Sequence, residues 1–266
     1  MRLAIGLALL LLAAPARAAP TDIDARYGIV HGGIEVAQFR LTSRIGPDGH
    51  RGILDVGSKG LLRLLFNFDS RSEAEGPLID GAPRPATYGA KTWREEPPRV
   101  LEIDFAPKTG DVERLLIERR GKERKSEVPA ALQTGVIDPL SALAAARSAL
   151  ADASMKTLAV FDGRRRYDVT VQDQGPVSAS DGPGWGPLRA VRLEVGLRAG
   201  FNDREAAFAG AGGWIEGLLT DDARLLPVRF VTRGTSTETR FELIETCPSA
   251  ACEGDPTFEL LSAPAR

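Results

Sequence analysis

The sequence predicts a mainly β protein, a strongly curved antiparallel sheet or open β-barrel with one short α-helix packed against it. Three observations lead to this fold class. Short runs rich in Val, Ile, Leu, Phe, Thr and Tyr alternate with polar residues, as in strands that bury one face. Turn residues separate these runs, and a single alanine-rich segment interrupts them. The runs number about twelve, which is too many for a flat open sheet, so the sheet should curl.

The first 18 residues are expected to be a secretory signal peptide. Arg2 provides the positive charge, residues 3–14 are unbroken apolar sequence, and Ala16-Arg17-Ala18 matches the small-x-small cleavage site. Cleavage after Ala18 would leave residues 19–266 as a single β-rich domain in the periplasm. The apolar stretch is too short to span a bilayer, and no cysteine follows it for lipid attachment, so we expect no stable membrane anchor.

Two hairpins are marked by their turns. Gly46-Pro47-Asp48-Gly49 lies between two alternating runs, and Asp162-Gly163 lies between two others. The predicted strands are residues 34–43, 51–56, 61–67, 87–94, 100–105, 115–119, 158–161, 166–171, 188–197, 213–219, 227–233 and 238–244. The stretches 70–85 and 172–187 are rich in turn residues, so we expect loops without a core of their own.

The alanine-rich segment 139–150 predicts the helix. Asp138 can cap its N-terminus, and the proline that follows suits the first helical position. Leu140, Leu143 and Leu150 give the helix apolar contacts, while its alanines would let it lie close to a sheet.

The only two cysteines, Cys247 and Cys252, begin a C-terminal tail of residues 247–266. An even pair at close spacing in an exported chain is typical of a disulfide. A redox pair and a metal site are the alternatives. Redox motifs usually have two intervening residues, however, and no histidine lies nearby to complete a metal shell.

Charge and motif content disfavour several classes of function. The formal net charge is −2 with both signs interspersed, which argues against a nucleic-acid partner. His31 and His50 are the only histidines, and we expect both at the surface or in turns. No Gly-x-Ser-x-Gly motif occurs, and adjacent carboxylates on a strand point to opposite faces. We therefore predict no enzyme, no catalytic residue, no cofactor and no metal.

Four blocks of sequence carry a family resemblance. They are residues 27–39 with Gly28, Gly32 and Gly33, residues 138–143, residues 160–167, and residues 224–230 with Gly234. In this order they resemble the exported bacterial family catalogued as domain of unknown function 3108. The resemblance implies a secreted, strongly curved antiparallel sheet with a helix, similar to the lipoprotein-carrier half-barrels. It implies no established activity and no catalytic residues.

The most apolar run of the mature chain, residues 61–68, suggests a ligand site. Apolar residues on both sides of a strand indicate burial on both faces. One interpretation is a lipid-sized cavity, and ordinary core is the other. The candidate ligand contacts are Leu62, Leu64, Phe66, Leu140, Leu143 and Trp214.

Three consecutive arginines after Asp162-Gly163 suggest an anion site, because guanidinium groups offer planar donors to phosphate or carboxylate. Strand alternation would place Arg164 and Arg166 on one face and Arg165 on the other. These two are the candidate anion contacts. The alternative is a solvated hairpin with cross-strand ion pairs.

The leading functional hypothesis is an exported, non-catalytic periplasmic protein whose concave sheet binds a lipid, another apolar ligand or an envelope component. The alternative is a scaffold protein of the cell envelope that acts through contacts with other proteins. A packed core between the helix and the sheet would favour the scaffold, and an apolar cavity would favour the binding protein.

Overall fold

The computed structural model describes residues 22–59, 63, 68–94, 96–152, 155–177, 184–203, 214–232 and 238–247. It confirms the predicted fold class, since one 14-stranded antiparallel sheet accompanies a single α-helix in the described part of the chain. None of the described helices has the length and apolarity that crossing a bilayer would require. The predicted strand 61–67 is outside the described residues, apart from Arg63.

The sheet contains strands from most of the described chain. Their bounds are β1 Ile23–His31, β2 Ile34–Gly46, β3 Gly49–Ser58, β4 Asp69–Gly76, β7 Thr87–Trp93, β8 Arg99–Ala106, β9 Asp111–Arg119, β10 Lys122–Glu123, β11 Lys156–Phe161, β12 Arg166–Val177, β13 Leu188–Ala199, β14 Trp214–Thr220, β15 Pro227–Thr232 and β16 Thr239–Thr246. A small separate hairpin is formed by β5 Leu78–Ile79 and β6 Ala82–Pro83. The helix α1 spans Pro139–Ala151, and a 3₁₀ turn spans Ala130–Leu132.

The strand order is β10-β9-β8-β7-β4-β3-β2-β1-β16-β15-β14-β13-β12-β11. Strands that follow one another along the chain are therefore neighbours, and β1 in the middle of the sheet pairs with the last strand, β16. The edges are β10 and β11, which are joined by the segment that carries the 3₁₀ turn and α1.

The two ends of the sheet are brought together by residues 133–137. On one side the backbone N–H of Val112 donates to the Gln133 carbonyl (3.0 Å), and the N–H of Val136 donates to Gly110 (2.8 Å). On the other side Ile137 exchanges bonds with Ala159 and Phe161 of β11, both 2.9 Å long. Because one short segment bonds both β9 and β11, the sheet must curl into an incompletely closed barrel.

Helix α1 lies inside this curl. The Asp138 carboxylate accepts hydrogen bonds from the N–H groups of Leu140 and Ser141, both 2.9 Å long, which confirms the predicted cap. The helix contacts β3 and β4 on one side and β11 and β12 on the other. Ala142 and Ala145 pack on β11, and Leu150 packs on strands of the C-terminal half. The small side chains allow these close approaches.

The prediction of a loop at residues 70–85 is wrong for its first part, because β4 is a central strand. Ala74 is buried inside the curl, where the inward positions of β4 carry small residues. The outward Arg71 pairs with Asp55 of β3 (3.2 Å) and with Glu73 (2.6 Å). The burial of its small residues and the formation of these ion pairs stabilise the strand. It lacks the β-branched side chains by which strands are predicted from sequence. The second predicted loop is likewise wrong for residues 172–177, which belong to β12.

Candidate functional site

The site that the fold builds is an open cavity of about 810 Å³ at the end of the curl formed by β4, β7, β8 and β9. Its other wall consists of residues 124–127, which follow β10, and the turn between β11 and β12. The lining residues are Ser70, Ser72, Tyr88, Ala90, Thr92, Arg99, Val100, Leu101, Ile117, Glu118, Arg119, Arg120, Arg124, Lys125, Ser126, Glu127, Asp162, Gly163, Arg164 and Arg165.

The strands supply a mixed floor of apolar groups and hydroxyls. Ser72 of β4 and Tyr88 of β7 are diagonal neighbours, since Tyr88 pairs directly with Ala74, and their side chains share a hydrogen bond. Burial raises the pKa of the Tyr88 phenol, so this group stays protonated. Leu101 and Ile117 are direct cross-strand partners on β8 and β9 and give the floor its aliphatic part.

The wall opposite the strands is held in place by specific contacts. The Asp162 carboxylate accepts bonds from the N–H groups of Arg164 (2.9 Å) and Arg165 (2.6 Å), which fixes the tight turn. Gly163 has a φ of 84°, and a Cβ there would overlap the Cδ1 atom of Leu101. The Ser126 hydroxyl donates to the Gly163 carbonyl (2.9 Å). This bond joins the two segments of the wall, residues 124–127 and the β11–β12 turn, next to Leu101 of β8.

Basic side chains dominate the cavity. Seven of the lining residues are Arg or Lys and three are Asp or Glu. On the rest of the sheet, several arginines pair with carboxylates on neighbouring strands. Examples are Arg26 with Glu245 (2.8 Å), Arg40 with Asp24 (2.8 Å) and Arg114 with Glu102 (2.8 Å).

The structure separates the two predicted anion contacts. Arg164 lines the cavity, whereas Arg166 pairs with Asp168 at 2.6 Å. Arg165, expected on the opposite face from Arg164, lines the cavity beside it. The alternation rule fails here because β12 begins only at Arg166, so the two preceding arginines belong to the turn.

The predicted apolar contacts lie elsewhere. Leu140 is 7% exposed in the largest hydrophobic cluster, with Leu143 packed against that cluster. Trp214 stacks with the Arg192 guanidinium, 4.6 Å from the ring centre. None of these three is among the described residues that line the cavity. Leu62, Leu64 and Phe66 fall outside the described residues, so a ligand role for them stays a prediction.

The cysteine prediction also extends beyond the described residues. Cys247 is 4% exposed, and its backbone N–H donates to the Asp24 carbonyl at 2.7 Å, which anchors the end of β16 beside β1. Cys252 lies outside the described residues, so the disulfide stays a prediction.

A second polar cluster joins α1 to β3. His50 Nε2 lies 2.6 Å from the Ser141 hydroxyl, and Ser141 in turn contacts the Asp138 carboxyl. The prediction that His50 lies at the surface or in a turn is therefore wrong, since it belongs to β3 and its side chain is only 4% exposed. Burial lowers the pKa of His50 and raises the pKa of Asp138 to about 6.

These three residues do not form a nucleophilic triad. In such a triad the carboxylate orients the histidine, but here Asp138 bonds to the helix N-terminus. Asp138 and Ser141 have no exposed surface, so a substrate cannot reach them. The cluster fixes the start of α1 on β3. Among the residues that the structure describes, no three His, Cys, Asp or Glu side chains are placed to share a metal ion.

Comparisons with known proteins agree with this architecture. The family model described as "Protein of unknown function (DUF3108)" matches residues 23–235. The search of curated proteins gave no match. Among solved structures, the crystal structure of a β-barrel-like protein of the domain of unknown function DUF1849 from Brucella abortus is similar, with a TM-score of 0.53 and 10% sequence identity. The similarity covers 86% of this chain and 98% of that one, and it shows the fold alone.

Proposed function

Since the chain belongs to DUF3108, a family of unknown function, we propose from its geometry that it is a periplasmic, non-catalytic protein that binds a ligand with an apolar part in the cavity of its curled sheet. The observation that carries this proposal is the open cavity of about 810 Å³. Sites for small molecules typically have volumes of roughly 300–1,000 Å³ and combine apolar walls with a few polar groups.

The floor of the cavity suits an aliphatic or aromatic group. Tyr88, Leu101 and Ile117 offer apolar surface next to the hydroxyls of Ser72 and Thr92. Each methylene group that a ligand buries here would contribute about 0.8 kcal/mol. The described lining contains neither histidine nor cysteine, and the raised pKa of Tyr88 makes its phenol a poor nucleophile. These properties support binding without chemical conversion.

A scaffold role in the cell envelope is the second candidate. The observation that favours it is the packed contact between α1 and β3, where the Leu140 Cβ lies 3.1 Å from the position of a Cβ on Gly52. No ligand fits between these two elements. The open cavity lined by β4, β7, β8 and β9 favours the binding role over the scaffold role.

The first test is native mass spectrometry of the protein purified from the periplasm without detergent, followed by organic extraction. We expect a stoichiometric adduct that is recovered in the organic phase. The substitution Thr92→Phe places a ring in the cavity from β7 and should weaken retention of the adduct about tenfold. The neighbouring Lys91 lies outside the lining, so Lys91→Phe is the matched control and should retain the adduct.

A wild-type protein without any adduct would contradict the binding role and support the scaffold. An adduct that survives Thr92→Phe unchanged would show that the ligand lies outside this cavity.

A further inference from the structure

The charges of the cavity are unbalanced on one wall. Residues 124–127 and the β11–β12 turn carry four basic side chains, Arg124, Lys125, Arg164 and Arg165, against two carboxylates, those of Glu127 and Asp162. Arg165 has partners, because it approaches Asp162 (3.8 Å) and lies 5.8 Å from the centre of the Phe201 ring. The other three side chains are exposed at the mouth, and none has a hydrogen bond or ion pair with another described residue.

On the rest of the sheet, by comparison with these three side chains, several arginines lie next to carboxylates. Arg71, Arg114 and Arg189 each contact two carboxylates on the same or neighbouring elements. A cluster of cations that repel one another lowers stability, and carboxylates placed nearby would remove that cost. The same wall carries Glu127 and Asp162, but Asp162 bonds to the backbone of its own turn and approaches the Arg165 side chain. Neither carboxylate pairs with the side chain of Arg124, Lys125 or Arg164 in the described part of the chain, so the cluster keeps a net positive charge.

Hydrogen bonds also fix the two segments that carry these cations. The backbone N–H of Arg124 donates to Ile117 (2.7 Å), and Ser126 donates to Gly163 (2.9 Å). These bonds hold the segments that carry Arg124 and Arg164 next to each other on one wall of the cavity, whose floor includes Leu101 and Ile117. Guanidinium groups arranged in this way match the oxygens of phosphate or carboxylate.

We infer that the ligand is an anionic amphiphile, whose phosphate or carboxylate group binds Arg124, Lys125 and Arg164 at the mouth while its apolar part lies on Tyr88, Leu101 and Ile117. This inference rests on the proposed binding function and specifies the chemistry of its ligand. Free phosphate carries the same anionic group, but only an amphiphile would also contact the apolar floor of the cavity.

The test uses the full mature protein after removal of bound material, with binding measured by titration calorimetry at low ionic strength. The probes are decyl phosphate, decyl maltoside and inorganic phosphate. We expect decyl phosphate to bind more tightly than the other two. The double substitution Arg124→Gln/Arg164→Gln should weaken decyl phosphate roughly tenfold or more and leave decyl maltoside nearly unchanged.

Arg114→Gln is the matched control, because it removes an exposed arginine from the opposite face of β9. It should leave the affinity for decyl phosphate unchanged. Equal binding of decyl phosphate and decyl maltoside, with no effect of the double substitution, would overturn the anionic class and leave the proposed binding function intact. Binding of inorganic phosphate as tight as that of decyl phosphate would overturn the amphiphile. Failure of both decyl probes to bind would overturn the proposed function itself.

Discussion

Replacing Gly76 by alanine should lower the free energy of unfolding by at least about 3 kcal/mol. Gly76 ends β4, where the chain leaves the sheet for the β5–β6 hairpin before it returns to β7. A Cβ at this position would overlap the Arg84 carbonyl oxygen and lie 2.8 Å from the Ala86 nitrogen. Both atoms belong to the backbone, so no side-chain rotation can relieve the overlap.

The hairpin cannot shift without further losses. The N–H of Ala86 donates to the Glu75 carbonyl (2.9 Å), the N–H of Arg84 donates to Pro77 (3.0 Å), and Pro83 and Pro85 are fully buried. Urea denaturation of the purified variant measures the effect. Gly46→Ala is the control, because no atom lies within 4 Å of its Cβ position, and it should change stability by less than about 0.5 kcal/mol. Equal stabilities of the two variants would contradict the overlap as the source of the cost.

The second large effect concerns the pH dependence that Asp138 gives to stability. Its carboxyl is fully buried, and burial raises its pKa from 3.8 to about 6. The folded protein therefore takes up a proton between these two values that the unfolded chain does not. The stabilisation from this group is complete below pH 3.8 and is lost as the pH rises through about 6. The contribution of Asp138 to the free energy of unfolding is therefore about 3 kcal/mol larger below pH 3.8 than above pH 6.

Asp138→Asn isolates this contribution. Asparagine can still cap the helix but does not titrate. The stability of the wild type minus that of Asp138→Asn should increase as the pH is lowered from 8 to 4, measured by urea denaturation at each pH. A difference that stays constant over this range would contradict the prediction. Asp138→Ala, which also removes the cap, should lose a further amount of about 1 kcal/mol at every pH.

His50 acts in the opposite direction. Its pKa is lowered in the folded protein, so its contribution is present above pH 6.5 and is lost as the pH falls through the lowered value. Because His50 is present in the wild type and in Asp138→Asn, most of its effect cancels in the difference between them.

The elements that sequence patterns predicted best were those with local signals. The helix was recognised from its cap, its proline and its alanines, and the structure places it at Pro139–Ala151. The hairpin at Asp162-Gly163 was recognised because such residues favour tight turns, and the structure places the turn at residues 162–165 between β11 and β12. By contrast, β4 was missed, since its stability comes from pairing with β3 and β7 and not from its own composition.

The candidate site was predicted only in part. Arg164 was identified from the sequence, but Arg124, Lys125 and Arg165 were not connected with it. Residues 124 and 164 meet only because the sheet curls until its two ends share the segment 133–137. No local pattern encodes that meeting. The one available signal was the density of arginine and lysine in residues 119–125, which suggests a site only when it is combined with the second basic turn.

The position of α1 between β3 and β11 makes the helix a spacer that sets the radius of the curl. Ala142 and Ala145 present only methyl groups to β11, and Gly52 presents no side chain to Leu140. Larger residues at these positions would push the two strands apart and move the ends of the sheet away from each other. The width of the cavity mouth thus depends on residues that lie outside the lining of the cavity.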